Sequence, residues 1–497
     1  MSYTFYEPLS AVDASFLAVE DSHAHMHIGG VTLFEAAPLT RKEGGLDIDR
    51  IRAFVASQLH RMPRFRQKLA YVPVSGAPVW IDDAHFNLVY HVRHTALPFP
   101  GNEQKLKDLA GRIMSQHLER EKPLWELWFV EGLEAGRFAL ISKIHHALAD
   151  GISGVDMMSM LLVTDPNPKV SPTPAWIPRP APSGMELLSS QTRRTLGAPL
   201  RLFTPEVERP VAATPGGSAP LPRTARPPSD LRTNVTKALS AAAAAIESTD
   251  PTPLNVDIGP YRRFDWTRMD IAKVSAIRAR LGGKMNDVVL SVVSGAVRRF
   301  LQRRGVRVDS LDFRAMVPVS VRSEGERGSL GNKITQLLTR LPVEIGDPVQ
   351  RLARTQEITA ELKGSGLAEG GQAFTAFAEL LGAPLMAILA RMASRRSFGN
   401  MVVTNVPGPQ RMTYLLGAPV LESYPLVPLA PTQALNVAVL SYNGVLHWGV
   451  NADWDAVPDI ADFVRLLDDE IAQLERIAAQ AEPEAPKKAK RKKKAAA

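Results

Sequence analysis

The residues best able to do chemistry gather in the run Ile144-His145-His146-Ala147-Leu148-Ala149-Asp150-Gly151, where a β-rich pattern gives way to a helical one. Side chains alternate along a strand, which puts Phe138, Leu140, Ser142, Ile144 and His146 on one face and turns His145 to the other. Only one of the two imidazoles then serves a given site. With an unperturbed pKa of about 6.5, imidazole is a competent general base near neutral pH, and a nearby carboxylate such as Asp150 can fix its partners or the local loop. Gly151 permits a tight exit or the close approach of another chain segment. Two other readings of the pair stand beside this one. It could be a structural pair of satisfied histidines, or part of a metal site. A metal would need a further ligand, and the densest other histidine group, His23, His25 and His27, has the spacing of a single strand face.

The elements that must position these residues are visible in the periodicity. Two β-rich runs, 125–133 and 138–146, flank Glu134-Ala135-Gly136-Arg137 and predict a hairpin that delivers the histidines at its end. Residues 151–163 then turn helical, with Ile152, Val155, Met158 and Leu162 at three-to-four spacing. Further on, the pattern predicts helices over 270–281, stopped by Gly282, and over 286–301. A hairpin is expected around Asn443-Gly444, with strands 434–441 and 445–450. Ile460, Phe463, Leu466, Leu467, Ile471, Leu474 and Ile477 predict a closing amphipathic helix. Helices and sheets are mixed in both halves, which gives a mixed α/β fold class.

At 497 residues, 45% hydrophobic and 22% charged, the chain is too long for a single small module and too apolar for wholesale disorder. Residues 165–253 hold 17 of the 39 prolines, a composition that buries too little apolar surface to offset backbone ordering. The expected organisation is an N-terminal domain over 1–164, a proline-rich, partly mobile linker over 165–253, a C-terminal domain over 254–480, and a disordered Lys-rich tail over 481–497. Within the linker, 185–203 reads as a basic amphipathic segment interrupted by Gly197 and Pro199, expected to pack back on its own protein in preference to a membrane surface.

Cysteine is absent, which removes disulfides, thiolate metal sites and a thiol nucleophile together. The net charge of +8 comes mostly from Lys487, Lys488, Lys490, Arg491, Lys492, Lys493 and Lys494, and the body of the chain is close to neutral. Nucleic-acid binding is therefore not expected. The most apolar run, 374–393, contains Glu379, Pro384 and Arg391 and does not read as a membrane span. No secretory signal is visible at the N-terminus, and a cytoplasmic protein is expected.

The spacing His-His-x-x-x-Asp-Gly resembles the signature of the chloramphenicol acetyltransferase-like, CoA-dependent acyltransferase superfamily. Other segments narrow the likeness: Leu9-Ser10 to Phe16-Leu17 with Glu20, Met26-His27-Ile28-Gly29-Gly30, Pro63 to Gln67, and Pro123-Leu124-Trp125. They continue with Asn286-Asp287-Val288-Val289, Val317 to Arg322, Gly331-Asn332 and Asn405-Val406-Pro407-Gly408-Pro409. Together they resemble the bacterial wax ester synthase/acyl-CoA:diacylglycerol acyltransferase family from about Leu9 to Leu474.

The resemblance implies two chloramphenicol acetyltransferase-like domains, each a mixed sheet flanked by helices, with an active-site channel between them. It implies acyl-CoA as co-substrate with no bound cofactor or metal, and diacylglycerol, a long-chain alcohol or both as acceptor. The second histidine, His146, would be the base. His145 would order the loop, and Asp150 would pair with an arginine, for which Arg66 and then Arg322 are candidates. The oxyanion formed as the thioester is attacked needs a donor, and Asn286 is the candidate, although its place ahead of an apolar helix also suits an ordinary N-cap. Insoluble acceptors imply work at the inner membrane surface or on lipid inclusions. Transfer to a polar acceptor, or a lipid-inclusion binding protein that has kept the fold without catalysis, are the alternatives.

Overall fold

The computed structural model describes residues 4–149, 158, 160–168, 172–201, 249–320, 334–364, 384–392 and 399–480. Asp150, Gly151, Arg322, Gly331, Asn332 and the Lys-rich tail lie outside the described residues, as does most of the expected helix over 151–163.

The strands of the first half are β1 (Glu7–Pro8), β2 (His27–Glu35), β3 (Gln67–Tyr71), β4 (Pro78–Asp82), β5 (Val92–Ala96), β6 (Trp125–Leu133) and β7 (Arg137–His145). Those of the second are β8 (Arg262–Asp270), β9 (Arg314–Ser320), β10 (Ile334–Arg340), β11 (Met401–Pro407), β12 (Tyr414–Leu415), β13 (Ala418–Leu426), β14 (Leu435–Tyr442) and β15 (Val445–Asp453). The helices are α1 (Ala11–Val19), α2 (Ile48–Gln58), α3 (Leu88–His91), α4 (Glu103–Met114), α5 (Gly184–Arg201), α6 (Ile271–Leu281), α7 (Met285–Arg303), α8 (Pro348–Gly364) and α9 (Ile460–Gln480). A further helical stretch covers 384–392.

Two six-stranded mixed sheets dominate, ordered β12-β13-β2-β7-β6-β5 and β10-β9-β11-β14-β15-β8, beside a small β1-β4-β3 sheet. The fold is thus mixed α/β with helices against both large sheets. The second half lends β12 and β13 to the sheet of the first, with β13 antiparallel to β2 in a register that pairs Tyr424 with Val31. No local periodicity announces that insertion.

Both hairpins form where their turn chemistry requires. Ala135 and Gly136 take φ of 60° and 64° between β6 and β7, and Asn443 and Gly444 take 46° and 80° between β14 and β15. Gly136, Asn443 and Gly444 are types that tolerate the left-handed turn matching the strand twist, whereas Ala135 adopts it against the preference of its Cβ. Gly282, at φ 78°, stops α6 as expected.

One face of the first sheet buries Phe34, Phe129 and Phe138 against Phe54 of α2 and Phe65. Its other face buries Val31, Leu33 and Ile141 against α4 and against Phe264, Trp266, Tyr424 and Leu426 of the second half. Gly111 allows this contact, since a Cβ there would lie 2.6 Å from the Arg262 carbonyl oxygen. The second sheet packs on α6, α7 and α9 through residues such as Val293, Phe300 and Phe463.

Three expectations are corrected. The expected strand over 138–146 ends at His145, because the chain turns into a 3₁₀ helix over His146–Ala149 while the His146 amide still makes the last bond to the neighbouring strand segment, at the Met26 carbonyl. Of the three spaced histidines only His27 lies in β2, because the Asp21 carboxylate accepts the amides of His23 and Ala24 and bends the chain before the strand. Helix α5 also runs through Gly197 and Pro199 without interruption. Both fall near its C-terminal end, where a missing backbone hydrogen bond leaves little helix to break. Its Leu187 packs on Val72 and Val79, so the segment folds back on its own protein.

Candidate active site

His146 is fixed by its neighbours on three sides. Its backbone N–H donates to the Met26 carbonyl at 2.7 Å, and its ring stacks on Phe16 of α1 with centroids 3.9 Å apart and planes 24° from parallel. The amides on either side are held too, since His145 donates to the Leu124 carbonyl at 3.0 Å and Ala147 donates to His145 Nδ1 at 3.0 Å. Leu124 belongs to the Pro-Leu-Trp segment. Trp125 anchors that segment by donating from Nε1 to the Phe65 carbonyl at 2.8 Å, so these residues set the strand and do not reach for a ligand.

Burial lowers the His146 imidazole to about 4, with the charge of His145 acting the same way and the residue's own backbone carbonyl opposing. The ring is therefore neutral at physiological pH, with a lone pair free to take a proton. Its Nδ1 is buried and makes no hydrogen bond among the described residues.

Beneath the histidines lies a carboxylate whose role no motif announces. Glu20, 3% exposed at its side chain, accepts the Met26 amide on Oε1 at 3.3 Å and Arg120 on Oε2 at 2.8 Å. Its Oε2 also lies 3.4 Å from His145 Nε2, and its Oε1 lies 3.5 Å from His27 Nε2. Burial opposes its ionisation, but His145 and Arg120 outweigh that and hold the carboxyl at about 2. His27, enclosed completely, is held neutral by burial and by the positive charge of Lys143. Burial likewise lowers His25 to about 4. Among the described residues no group of three or more His, Asp or Glu is arranged to hold a metal ion.

Asn286 occupies the first turn of α7 and is only partly buried. The expected capping position is corrected. Lys284 is the N-cap, its amide donating to Asp287 Oδ2 at 2.7 Å while Thr359 donates to Asp287 Oδ1 at 2.8 Å. Asp287 therefore does the structural work at this end and Asn286 has no part in it. Phe16, Met26, Met285, Val288 and Val289 all belong to one apolar cluster, which joins the surroundings of His146 to the start of α7. Arg66 lies over the Trp176 ring at 4.5 Å, with Asp82 and Arg179 as its charged neighbours and its Nε buried without a partner.

Comparison with known proteins decides the family. The wax ester synthase/diacylglycerol acyltransferase catalytic domain matches residues 9–289, and the corresponding C-terminal domain matches residues 330–475. The chain belongs to the wax ester synthase/diacylglycerol acyltransferase family. It is an acyltransferase. A putative diacylglycerol O-acyltransferase of Mycobacterium bovis is 32% identical over 474 residues, covering 94% of this chain and 95% of that protein. A probable diacylglycerol O-acyltransferase of Mycobacterium tuberculosis matches to the same extent. Among solved structures, the wax ester synthase/diacylglycerol acyltransferase of Marinobacter aquaeolei is 25% identical with a TM-score of 0.64, covering 95% of this chain and 100% of that one. A trichothecene 15-O-acetyltransferase of Fusarium sporotrichioides, at 11% identity and a TM-score of 0.61, shares the fold; it covers 94% of this chain and 95% of that one. The fold is thus that of the family and of the wider two-domain acyltransferases, as the motif order implied.

Proposed function

We propose that the enzyme transfers a long-chain acyl group from acyl-CoA to diacylglycerol, a long-chain alcohol or both, with His146 as general base. The observation that carries this reading is the neutral His146 imidazole stacked on Phe16 at the end of β7, on a backbone held by the Met26 carbonyl. It takes the proton of the acceptor hydroxyl as that oxygen attacks the thioester carbonyl. The tetrahedral adduct then collapses, the C–S bond breaks, and the same proton passes to the departing CoA sulfur. No acyl-enzyme forms and no step needs a metal. Asn286, free of the capping role, is our candidate to donate to the developing oxyanion, helped by the positive end of α7. His145 orders the loop after the histidines, and Asp150 pairs with an arginine, for which Arg66 is our candidate.

The assay that tests this gives the purified protein palmitoyl-CoA with diacylglycerol or hexadecanol. Release of free CoA together with triacylglycerol or wax ester is expected. Turnover confined to amines or to carrier-bound acyl groups would refute the assignment.

A pH dependence follows from the lowered histidines. His146 itself is unprotonated above about 4 and so able to accept a proton, and kcat/KM should stay level from pH 7 down to about 5.5, where an ordinary imidazole would already be mostly protonated. His25, His91 and His447 are also lowered to about 4 by burial. The unfolded chain binds protons on these groups from about 6.5 downward while the folded one does not, so their contribution to stability is intact above about 6.5 and lost as pH falls through 4. Melting temperature should accordingly fall across that window.

We further propose that the protein works against a lipid surface. The stretch 384–392 turns Met386 inward to Ala11 and Val12 of α1, and Arg391 Nε donates to the Ala18 carbonyl at 3.2 Å. Its other side presents Leu385, Ile388, Leu389 and Met392, exposed by 43, 57, 43 and 67%, at the spacing of one helix face. This uncharged face sits beside the helix that carries Phe16, on an enzyme whose proposed acceptors do not dissolve. Ile388→Gln should weaken co-sedimentation with phosphatidylcholine vesicles by about tenfold, the apolar transfer of one such side chain. Turnover on a short-chain, water-soluble alcohol should be unchanged.

A further inference from the structure

We propose that Glu20 is the positioning residue of the His146 imidazole, gathering at one carboxylate the ring contact and the two backbone contacts that hold this residue. The inference rests on the reading of His146 as base and names what keeps the base in place.

Two of the neighbours that hold His146 face Glu20 directly, and the third reaches it through Arg120. The Met26 carbonyl that accepts the His146 amide belongs to the residue whose own amide Glu20 Oε1 accepts. His145 Nδ1 accepts the Ala147 N–H, so its proton sits on Nε2, the nitrogen facing Glu20 Oε2 at 3.4 Å; the nearby carboxylate favours the tautomer that holds the Ala147 peptide group just after His146. Arg120 Nη2 bridges Glu20 Oε2 and the Leu17 carbonyl at 2.9 Å, immediately after the Phe16 ring stacked on His146. Glu20 and Met26 flank one bend of the chain, while Arg120 and His145 come from distant stretches. Apart from His27, which faces Oε1 at 3.5 Å, the partners this buried carboxylate collects converge on the segment around His146. The second anionic oxygen is required in particular. It faces three donor groups, Arg120 Nε, Arg120 Nη2 and His145 Nε2, while Oε1 faces the Met26 amide. A carboxamide in either orientation would point an NH₂ at one of these sets.

The test is Glu20→Gln in the full-length enzyme, assayed with palmitoyl-CoA and hexadecanol. A displaced base should lower kcat by about 10²-fold. KM for acyl-CoA should not change, and the acid limb of kcat should move up from near 4 toward about 6.5 as the loosened ring hydrates. A purely structural role would scale the rate with the folded fraction and leave the limb in place. That result, or wild-type kcat, overturns the inference. Should Glu20→Gln fail to fold, Arg120→Lys keeps a charge against Glu20 and removes the bridge to Leu17 together with the second guanidinium bond to Oε2. A lowered kcat with a raised limb then supports the inference, and wild-type behaviour overturns it. His146→Ala is run alongside. An active His146→Ala enzyme defeats the assignment of the base itself, whereas an inactive one beside an unperturbed Glu20→Gln enzyme defeats only the role of Glu20.

Discussion

Replacing His146 by alanine should lower kcat by about 10²- to 10⁴-fold, the usual worth of a positioned acid/base group. The enzyme should otherwise stay intact. The ring is only partly buried, its contact with Phe16 is a single stacked face, and the backbone bonds on either side belong to His145, Met26 and Ala147. Melting temperature and KM for acyl-CoA should therefore stay close to wild type. The loss belongs to the transition state, because thioester and acceptor can still bind while nothing takes the proton from the attacking hydroxyl. Esterification at the wild-type rate by a folded His146→Ala protein would refute the mechanism. Binding of acyl-CoA without ester formation would support it and separate a catalyst from a lipid-coating protein.

The second large effect is on stability, away from the site. Glu470 of α9 and Arg351 of α8 are 2% and 1% exposed and form an ion pair. Arg351 also donates to the carbonyls of Ser291, Ile345 and Gly346 at 3.2, 3.0 and 3.2 Å. Gly295 of α7 makes room for the pair, since a Cβ there would lie 2.1 Å from Glu470 Oε2. Glu470→Ala leaves a buried guanidinium without its counter-charge and should cost about 3–5 kcal/mol of unfolding free energy, read from urea denaturation. Adding Arg351→Met should recover much of that loss, because two apolar side chains replace an ion pair without leaving a charge behind. Activity per folded molecule should be preserved in both.

Much of the local structure was legible because it is decided locally. Gly136 and the pair Asn443-Gly444 mark tight turns by their backbone tolerance, and the apolar spacing from Ile460 to Ile477 can be satisfied only by a helix. The order of the motifs was also enough to place the family. The direction of His146 was not legible from strand alternation, because the strand stops one residue short and a 3₁₀ turn sets the ring's course. Asn286 looked like a cap because it precedes an apolar run. The cap falls on Lys284 and Asp287, where a side chain on α8 supplies the deciding bond. Glu20 stood inside a recognised segment without a role, since its meaning depends on Arg120 and His145, which are distant in sequence and near in space. Asp150 lies outside the described residues.

The borrowed ribbon of the first sheet has a consequence for how the molecule is made. Val31 and Tyr424 pair across roughly four hundred positions of chain, so during synthesis the outer edge of β2 stays bare until most of the polypeptide has emerged. A fragment cut in the proline-rich crossing would leave the ribosome with that edge open to pairing with its own copies. For the same reason, a chimaera between relatives should take residues 414–426 from the parent that supplies the first half.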